Sequence, residues 1–279
     1  MQIYKDMNIG TAKPTKDEMQ GIKHYMMDFI SPEERYSVSD YKKDAIKCIQ
    51  EILENGNIPI VVGGTGLYID SLIYGIEYCN INFDEEYRKY LEEKANKEGL
   101  QVLYDMALKI DEQAMKKISI NDKKRIIRVL EIYKQTGKSK TQIEQESKEK
   151  PIPYDYKVFG INLDRPKLYL KIEKRIDHMI ENGLIDEVKN ILSKYKKFPT
   201  AMQGLGYKEV VEYLNNNISK EEMIQKLKTE TRRYAKRQLT WFRRNKNIIW
   251  LDGENDIQKN INIILEEIKW SKERKKSQI

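Results

Sequence analysis

One stretch near the start of the chain alternates helix, apolar strand, glycine turn and helix, an order that few folds accommodate. Apolar side chains recur at helical spacing over residues 39–55, and Ser39 is the candidate N-cap of that helix. The apolar run at residues 58–62 predicts a buried strand, residues 63–66 predict a glycine-rich turn, and residues 67–74 begin a second helix. This order is typical of a parallel α/β sheet.

The pattern then becomes purely helical until a strand pattern returns at residues 158–163, and a last one follows at residues 248–251. The helical patterns lie at residues 84–98, 100–109, 122–136 and 139–146. We therefore predict an α/β fold in which a parallel sheet core carries an all-helical insertion domain. The predicted boundaries are residues 1–78 for the first part of the core, 79–155 for the insertion and 156–279 for the second part of the core.

The composition excludes several classes of protein. Charged residues make up 34% of the 279 residues, and the mean hydropathy is −0.74. No apolar run approaches the ~20 residues that a membrane helix needs, and the N-terminus has no basic-then-apolar signal region. We therefore expect a cytoplasmic protein without membrane contact. With only two cysteines and no paired spacing, a disulfide framework and a structural zinc site are not expected.

A basic amphipathic helix is predicted at residues 219–244, and the segment 219–245 holds nine Lys/Arg and three Glu. Its basic arc comprises Lys226, Arg232, Arg233, Lys236, Arg237, Arg243 and Arg244. A helix divided in this way packs its apolar arc and offers the basic arc to an anion such as nucleic acid. A solvated surface helix explains the pattern equally well. Gln238 lies within the apolar arc, where its amide needs hydrogen-bond partners.

Two features point to a phosphate site. Gly63, Gly64 and Thr65 lie between a strand and a helix, where open α/β sheets bind ligands and where free helix N–H groups attract anions. A plain tight turn is an equal alternative. Arg175 borders the apolar arc of the helix that Pro166 opens, which suits diphosphate binding, although an arginine lying over apolar neighbours would look the same.

Residues 203–208 form a glycine-punctuated turn before a further helix. The turn brings together an amide in Gln203, an aromatic ring in Tyr207 and a cation in Lys208. These groups suit gripping an RNA backbone or stacking on a base. As composition alone, the segment is also an ordinary loop.

Four motifs resemble those of the tRNA dimethylallyltransferases, also called isopentenyl-tRNA transferases. The segment QIYKDMNIGTAKP at residues 2–14 resembles the family's Q-x-Y-x-x-M-x-I-G-T-A-K-P, and PIVVGGTGLY at residues 59–68 resembles P-x-x-V-G-G-T-x-L-Y. QGLGYK at residues 203–208 resembles the Gly-Tyr loop that contacts tRNA, and KRQLTWFR at residues 236–243 resembles K-R-Q-x-T-W-x-R. The four occur in the family's order and are spread from residue 2 to residue 243, so the resemblance covers essentially the whole chain.

The resemblance implies a P-loop-NTPase-like core and a prenyl transfer to tRNA. The family moves a dimethylallyl group from dimethylallyl diphosphate to N6 of adenosine-37, the adenosine just 3′ of the anticodon, giving N6-dimethylallyladenosine. Mg²⁺ is the implied cofactor because pyrophosphate leaves. The implied partner is the tRNA anticodon stem-loop, and the full-length enzyme is expected to be a monomer.

The resemblance also implies roles for particular residues. Thr65 and Arg175 are expected to be catalytic, and Arg175, Gly63 and Gly64 are expected to hold the diphosphate. The expected tRNA-binding residues are Gln2, Lys124, Arg125, Arg128, Gln203, Gly204, Gly206, Tyr207, Lys208, Lys236, Arg237, Gln238, Thr240, Trp241 and Arg243. No residue is identified as a metal ligand.

One departure from the family pattern bears on activity. The family has a Walker-type loop, G-x-T-x-x-G-K-[ST], followed by Asp-Ser-x-Gln, whose Asp is the proposed general base. Met1 stands at the x of this last motif, and neither the loop nor the Asp is found among the 279 residues. We therefore expect this chain, as it stands, to be catalytically inactive. The alternatives are a tRNA-binding remnant without activity and an adenylate isopentenyltransferase.

Overall fold

The structure is a computed structural model that describes residues 1–78 and 84–276. It contains two compact units, which we call the sheet unit and the helical unit. The sheet unit comprises Met1–Tyr36, Gly64–Gly66 and Asp155–Ile279, and the helical unit comprises Ser37–Gly63 and Leu67–Tyr154. The three-part division at residues 78/79 and 155/156 stays a prediction, and its first boundary lies beside residues 79–83, outside the described residues.

Seven helices precede the first strand in the described part of the chain. They are α1 (Val38–Glu54), α2 (Gly66–Ile73), α3 (Glu85–Glu98), α4 (Leu100–Ile110), α5 (Glu112–Met115), α6 (Lys123–Thr136) and α7 (Lys140–Lys148). Leu91, Leu103 and Leu130 lie at the centre of the helical unit's core and are fully buried. The four predicted helical patterns are thus present.

The N-cap of α1 corrects the sequence analysis. The cap is Ser37 rather than Ser39, because Asp40 completes a capping box with Ser37. The Asp40 carboxylate accepts the backbone N–H of Ser37 at 2.9 Å, and the Ser37 hydroxyl accepts the N–H of Asp40 at 3.2 Å. Two free amides at the start of the helix are satisfied by this reciprocal pair, which Ser39 does not form.

The sheet unit contains a parallel pair of strands surrounded by helices. Its further elements are β1 (Phe159–Asn162), α8 (Arg165–Glu181), α9 (Leu184–Lys194), a 3₁₀ turn at Ala201–Gln203, α10 (Tyr207–Leu214), α11 (Lys220–Phe242), β2 (Ile249–Asp252) and α12 (Ile257–Lys276). Phe159 pairs with Ile249, and the parallel register runs to Asn162 opposite Asp252. The fold is therefore mixed α/β and mostly helical, as predicted.

The core of the sheet unit forms between α8, α9, α10 and α11, and the N-terminal segment closes it. Tyr4 and Met7 are buried there beside Ile176 and Leu184. The predicted capping box of α11 is confirmed, because the Ser219 hydroxyl accepts the N–H of Glu222 and the Glu222 carboxylate accepts that of Ser219. No helix in the described residues is long and apolar enough to cross a membrane.

The strand predicted at residues 58–62 is not formed. These residues follow α1 without strand pairing, and the side chains of Ile60 and Val62 are 81% and 89% exposed. A strand needs a hydrogen-bonded neighbour, and among the described residues β1 and β2 pair with each other and not with this run. Apolar composition alone therefore did not create a strand.

Candidate functional site

The glycine turn lies directly against α11 within the sheet unit. The Gln238 side chain donates a hydrogen bond from Nε2 to the carbonyl oxygen of Gly64 at 2.9 Å. A Cβ on Gly64 would lie 1.9 Å from that Nε2, and a Cβ on Gly66 would lie 2.3 Å from Cδ1 of the Trp241 indole. Both glycines are needed because α11 approaches their backbone closely. The prediction that the Gln238 amide finds a hydrogen-bond partner is confirmed.

This contact also defines which groups of the turn are open to a ligand. Thr65 is exposed between the two covered glycines, at the start of α2. Gly63 is exposed as well, with no heavy atom within 4 Å of its ideal Cβ position. The predicted contact of Gly64 with the diphosphate can only involve its backbone. The carbonyl oxygen of that backbone already accepts a hydrogen bond from Gln238.

The cations of α11 divide into two groups. From Lys226 to Arg233 they are paired: Lys226 with Glu212, Arg232 with Glu173 at 2.7 Å, and Arg233 with Glu230 at 2.6 Å. Lys220, in the first turn, has no ion-pair partner among the described residues but stands beside Glu221 and Glu222. At the other end, Lys236, Arg237, Arg243 and Arg244 have no carboxylate partner among the described residues and are all exposed. The unneutralised positive charge is thus concentrated at the C-terminal end of α11.

Three of the predicted tRNA-binding residues line one cleft of about 270 Å³. Lys236 and Thr240 contribute from α11, Arg243 contributes from the residue that caps its C-terminus, and the loop from β1 into α8 closes the other side. The remaining lining residues are Asn162, Leu163, Asp164, Arg165, Leu168, Tyr169 and Leu239. Three cations and one carboxylate give the cleft a net positive charge, so it favours an anion. Arg237 is not among the residues that line this cleft, and its guanidinium carbon lies 5.8 Å from the centre of the Tyr234 ring.

Arg165 is a cleft residue that the sequence analysis did not identify. It begins α8, one residue before Pro166, and it is exposed without a carboxylate partner in the described residues. The Asp164-Arg165-Pro166 sequence predicts only the start of a helix. That Arg165 is brought beside Lys236 and Arg243 follows from packing between α8 and α11, to which the ion pair of Lys228 with Asp177 at 2.6 Å contributes.

Arg175 lies on α8 and is exposed. It has no ion-pair partner among the described residues, so its guanidinium is free to bind a phosphate group. No hydrogen bond within residues 1–78 and 84–276 joins it to Thr65 or to the glycines. The structure thus leaves Arg175 available and without a hydrogen bond to the described residues of the glycine turn.

The turn at residues 203–208 is mostly buried, which corrects the expectation for Tyr207. Its ring is 0% exposed, and its hydroxyl donates to Glu187 Oε1 at 2.7 Å. Burial and this hydrogen bond raise the pKa of the Tyr207 hydroxyl well above its ordinary value. The side chain belongs to the core and cannot stack on a base.

The remaining residues of this turn offer little surface. Gln203 is exposed, but Gly204 and Gly206 are buried. Gly206 has φ +94°, a conformation that favours glycine, and its N–H donates to Glu209 at 2.8 Å. Lys208 is half-buried, with Nζ 3.3 Å from the buried Glu209 carboxylate. Gln203 and, in part, Lys208, whose side chain is 39% exposed, retain side-chain surface for RNA.

Gln2 is half-buried at the edge of a loop formed by residues 8–13, which we call the 8–13 loop. Its Nε2 donates to the carbonyl oxygens of Thr11 and Ala12 at 3.1 and 3.0 Å. The loop is bonded across itself, because the N–H groups of Ala12 and Lys13 donate to the carbonyls of Ile9 and Asn8 at 3.0 and 2.9 Å. Gln2 is therefore held by the backbone of a compact loop.

The predicted basic face of α6 lies in the helical unit. Arg125 pairs with Asp122 at 3.3 Å and Arg128 approaches Glu131 at 3.6 Å. Lys124 is exposed and has no ion-pair partner among the described residues. Of the three, Lys124 therefore has the least neutralised charge.

Three comparisons relate the chain to known proteins. The family model described as IPP transferase matches residues 2–245. The tRNA dimethylallyltransferase of Acetivibrio thermocellus is 46% identical over 271 residues, covering 95% of this chain and 87% of that protein. The solved full-length tRNA isopentenylpyrophosphate transferase of Bacillus halodurans has a TM-score of 0.71 and 41% identity, covering 99% and 87% of the two chains. A eukaryotic dimethylallyltransferase, solved acting on tRNA, has a TM-score of 0.78 and 28% identity, covering 96% and 71%.

Proposed function

Because this chain belongs to the IPP transferase family, we propose that it transfers the dimethylallyl group of dimethylallyl diphosphate to N6 of adenosine-37 in tRNA. The product is N6-dimethylallyladenosine, next to the anticodon. The fold is the P-loop-like fold of the solved tRNA transferases that the chain matches. The donor diphosphate, the target position and the roles of individual residues are the parts that the experiment below tests.

A single observation carries the proposal beyond family membership. The segment that holds the free cations of α11 is the same segment that packs on the glycine turn through Gln238 and Trp241. A surface that attracts RNA phosphates is thereby fixed directly beside the turn that exposes Thr65. Binding of the RNA and presentation of a reacting group are linked by this contact.

The proposed chemistry is a displacement at an allylic carbon: the bond from N6 to that carbon forms, the bond from the carbon to the diphosphate oxygen breaks, and the proton lost from N6 passes to the departing pyrophosphate or to water. Arg175 is proposed to stabilise the charge on the leaving diphosphate as a bidentate donor, and Thr65 to contact the diphosphate through its hydroxyl. Lys236 and Arg243 are proposed to hold phosphates of the anticodon stem-loop, and Gln2 to contact the adenine. Lys124 of α6 would add an RNA contact in the helical unit.

Mg²⁺ stays a proposal, and the described residues do not provide a site for it on their own. Within residues 1–78 and 84–276, no three His, Cys, Asp or Glu side chains are close enough to hold a metal ion. Mg²⁺ commonly keeps several waters and binds through substrate phosphates with one or two carboxylates. We derive no step from the metal. A cytoplasmic location, where tRNA is modified, and a monomeric state complete the proposal.

The test is a product assay with two acceptors. The protein is incubated with dimethylallyl diphosphate, Mg²⁺ and either an anticodon stem-loop or AMP, and nucleosides are identified by mass spectrometry. The proposal predicts dimethylallyladenosine only from the stem-loop, and none when adenosine-37 is replaced by guanosine. Product from AMP but not from RNA would instead identify an adenylate isopentenyltransferase. RNA binding without any product would identify a tRNA-binding protein without activity, the outcome expected if no other residues replace the Walker-type loop and the general-base Asp that the 279 residues lack.

A further inference from the structure

Glu187, on α9, binds the 8–13 loop through its carboxylate, which accepts hydrogen bonds from three backbone amides of the loop. Oε2 accepts hydrogen bonds from the backbone N–H groups of Asn8 and Ile9 at 2.9 and 2.7 Å, and Oε1 accepts that of Gly10 at 3.1 Å. The Tyr207 hydroxyl donates to the same Oε1. Three consecutive amides that converge on one anion form a nest, and charge-assisted bonds of this kind are stronger than neutral ones.

The loop has little freedom to move away from Glu187. A Cβ on Gly10 would lie 2.7 Å from the buried Tyr207 ring and 2.9 Å from Leu184, so the backbone is already in close contact with the core. The Lys13 ammonium donates to the carbonyl of Tyr4 at 2.9 Å and closes the other end of the loop. Because the loop is bonded across itself, the positions of its first amides determine those of its later carbonyls.

Those later carbonyls fix the orientation of the Gln2 side chain. An amide nitrogen has two N–H donors, and the carbonyls of Thr11 and Ala12 accept one each. If the amide were reversed, Oε1 would face two carbonyl oxygens and both hydrogen bonds would be lost. Within the described residues Oε1 has no donor, so it is the atom that Gln2 presents to a ligand.

We propose that Glu187 is a positioning residue for base recognition, acting through the 8–13 loop to hold Oε1 of Gln2 as a fixed acceptor. This proposal rests on the proposed function, which supplies adenosine as the base. A fixed acceptor favours the 6-amino group of adenine, which donates, and disfavours the 6-oxo group of guanine or hypoxanthine, which accepts. Glu187 therefore contributes to specificity without touching the RNA.

The test compares two anticodon stem-loops that differ only at the target base, adenosine against inosine, which replaces the 6-amino group by an oxygen. For the unaltered protein we expect adenosine to bind about tenfold more tightly, the discrimination of one good base contact. Glu187→Gln replaces one of the two carboxylate oxygens by an NH₂ group that cannot accept the loop N–H groups, and it removes the negative charge, so the preference should fall toward one. The salt dependence of binding should not change, because phosphate contacts are untouched.

Two further variants separate positioning from general damage. Asp186→Asn removes the neighbouring carboxylate on α9, which is 75% exposed and makes no bond to the loop, and should leave the preference at its original value. Tyr207→Phe removes one of the four donors without changing charge and should reduce the preference partially. If Glu187→Gln does not fold, Tyr207→Phe carries the test.

Several results would overturn the proposal: a preference retained in both Glu187→Gln and Tyr207→Phe, a preference lost equally in Asp186→Asn, or no preference in the unaltered protein. This last result would still leave RNA binding and the proposed function intact. Failure of the unaltered protein to bind either stem-loop would contradict the proposed function itself. Hydrogen exchange of the amides of residues 8–10 provides a second readout, since faster exchange in Glu187→Gln is expected only if the carboxylate protects them.

Discussion

Replacing Gly10 by alanine tests the tight packing of the 8–13 loop. The new Cβ would lie 2.7 and 2.8 Å from Cε2 and Cζ of Tyr207 and 2.9 Å from Cδ1 of Leu184. Both neighbours are fully buried, so neither ring nor methyl can turn toward solvent, and the loop backbone must move. Inserting a methyl group into a packed core costs about 1–3 kcal/mol. Since moving the loop also weakens hydrogen bonds to Glu187, we expect a loss of about 2–3 kcal/mol.

The assay is urea unfolding followed by tryptophan fluorescence. All three tryptophans lie within the sheet unit, which also contains Gly10, so the signal reports on the unit that is perturbed. Asn8→Ala is the matched control: Asn8 is exposed in the same loop, and its backbone N–H to Glu187 is retained, so its stability should stay within ~0.5 kcal/mol of the original. Equal midpoints for Gly10→Ala and Asn8→Ala would refute the reasoning.

Two other substitutions test the glycine turn and the helical unit. Gly66→Ala places a Cβ 2.3 Å from the Trp241 indole, so it should shift tryptophan emission and lower the free energy of unfolding by about 1–3 kcal/mol. The control Gly63→Ala has open space around its Cβ and should change neither quantity. Unaltered tryptophan emission in Gly66→Ala would disprove the close packing of Trp241 on Gly66. Burial alone would raise the pKa of Asp111, but hydrogen bonds from Thr141 and Ala114 at 2.6–2.9 Å hold that pKa below its ordinary value. Its stabilisation is therefore present above the ordinary carboxyl pKa and is lost as pH falls through the lower folded-state pKa. Asp111→Asn should be less stable than the original protein by about 1–3 kcal/mol at neutral pH, measured by urea unfolding followed by far-UV circular dichroism. This difference in the free energy of unfolding should become smaller in acid, and a difference that does not change with pH would contradict the lowered pKa of Asp111.

Much of the fold follows from local sequence patterns, and the failures have a common physical origin. Helices such as α6 and α11 were predicted within two residues because spacing and caps are local properties. The run at residues 58–62 has the composition of a buried strand, but strand formation depends on a partner elsewhere in the chain. Ser37 rather than Ser39 caps α1 because Asp40 lies three residues after Ser37 and completes the capping box, which the spacing of apolar residues does not reveal.

In the candidate site, too, features that are local in the sequence could be predicted, whereas those that depend on distant residues could not. The motifs identified the family, and the comparisons confirm the family and the α/β fold class. The need of Gln238 for a partner could be predicted from its place on an apolar arc, but Gly64 as that partner is 174 residues away. Tyr207 was assigned to RNA because an aromatic ring beside glycines suits stacking, and its burial against Glu187 depends on tertiary packing. Glu187 carries no sequence signal, since its bonds to the 8–13 loop span 177–179 residues.

The central claim is that the unpaired cations at the end of α11 hold a folded RNA. Binding of a tRNA anticodon stem-loop is measured over a range of salt concentrations, against an unrelated RNA duplex of equal length. The triple variant Lys236→Gln, Arg237→Gln, Arg243→Gln should weaken binding and reduce the salt slope by about 2–3, close to one per phosphate contact. The control Lys226→Gln, Arg233→Gln removes cations already paired with Glu212 and Glu230 and should change the slope much less. An unchanged slope in the triple variant, or equal affinity for the duplex at moderate salt, would contradict the account.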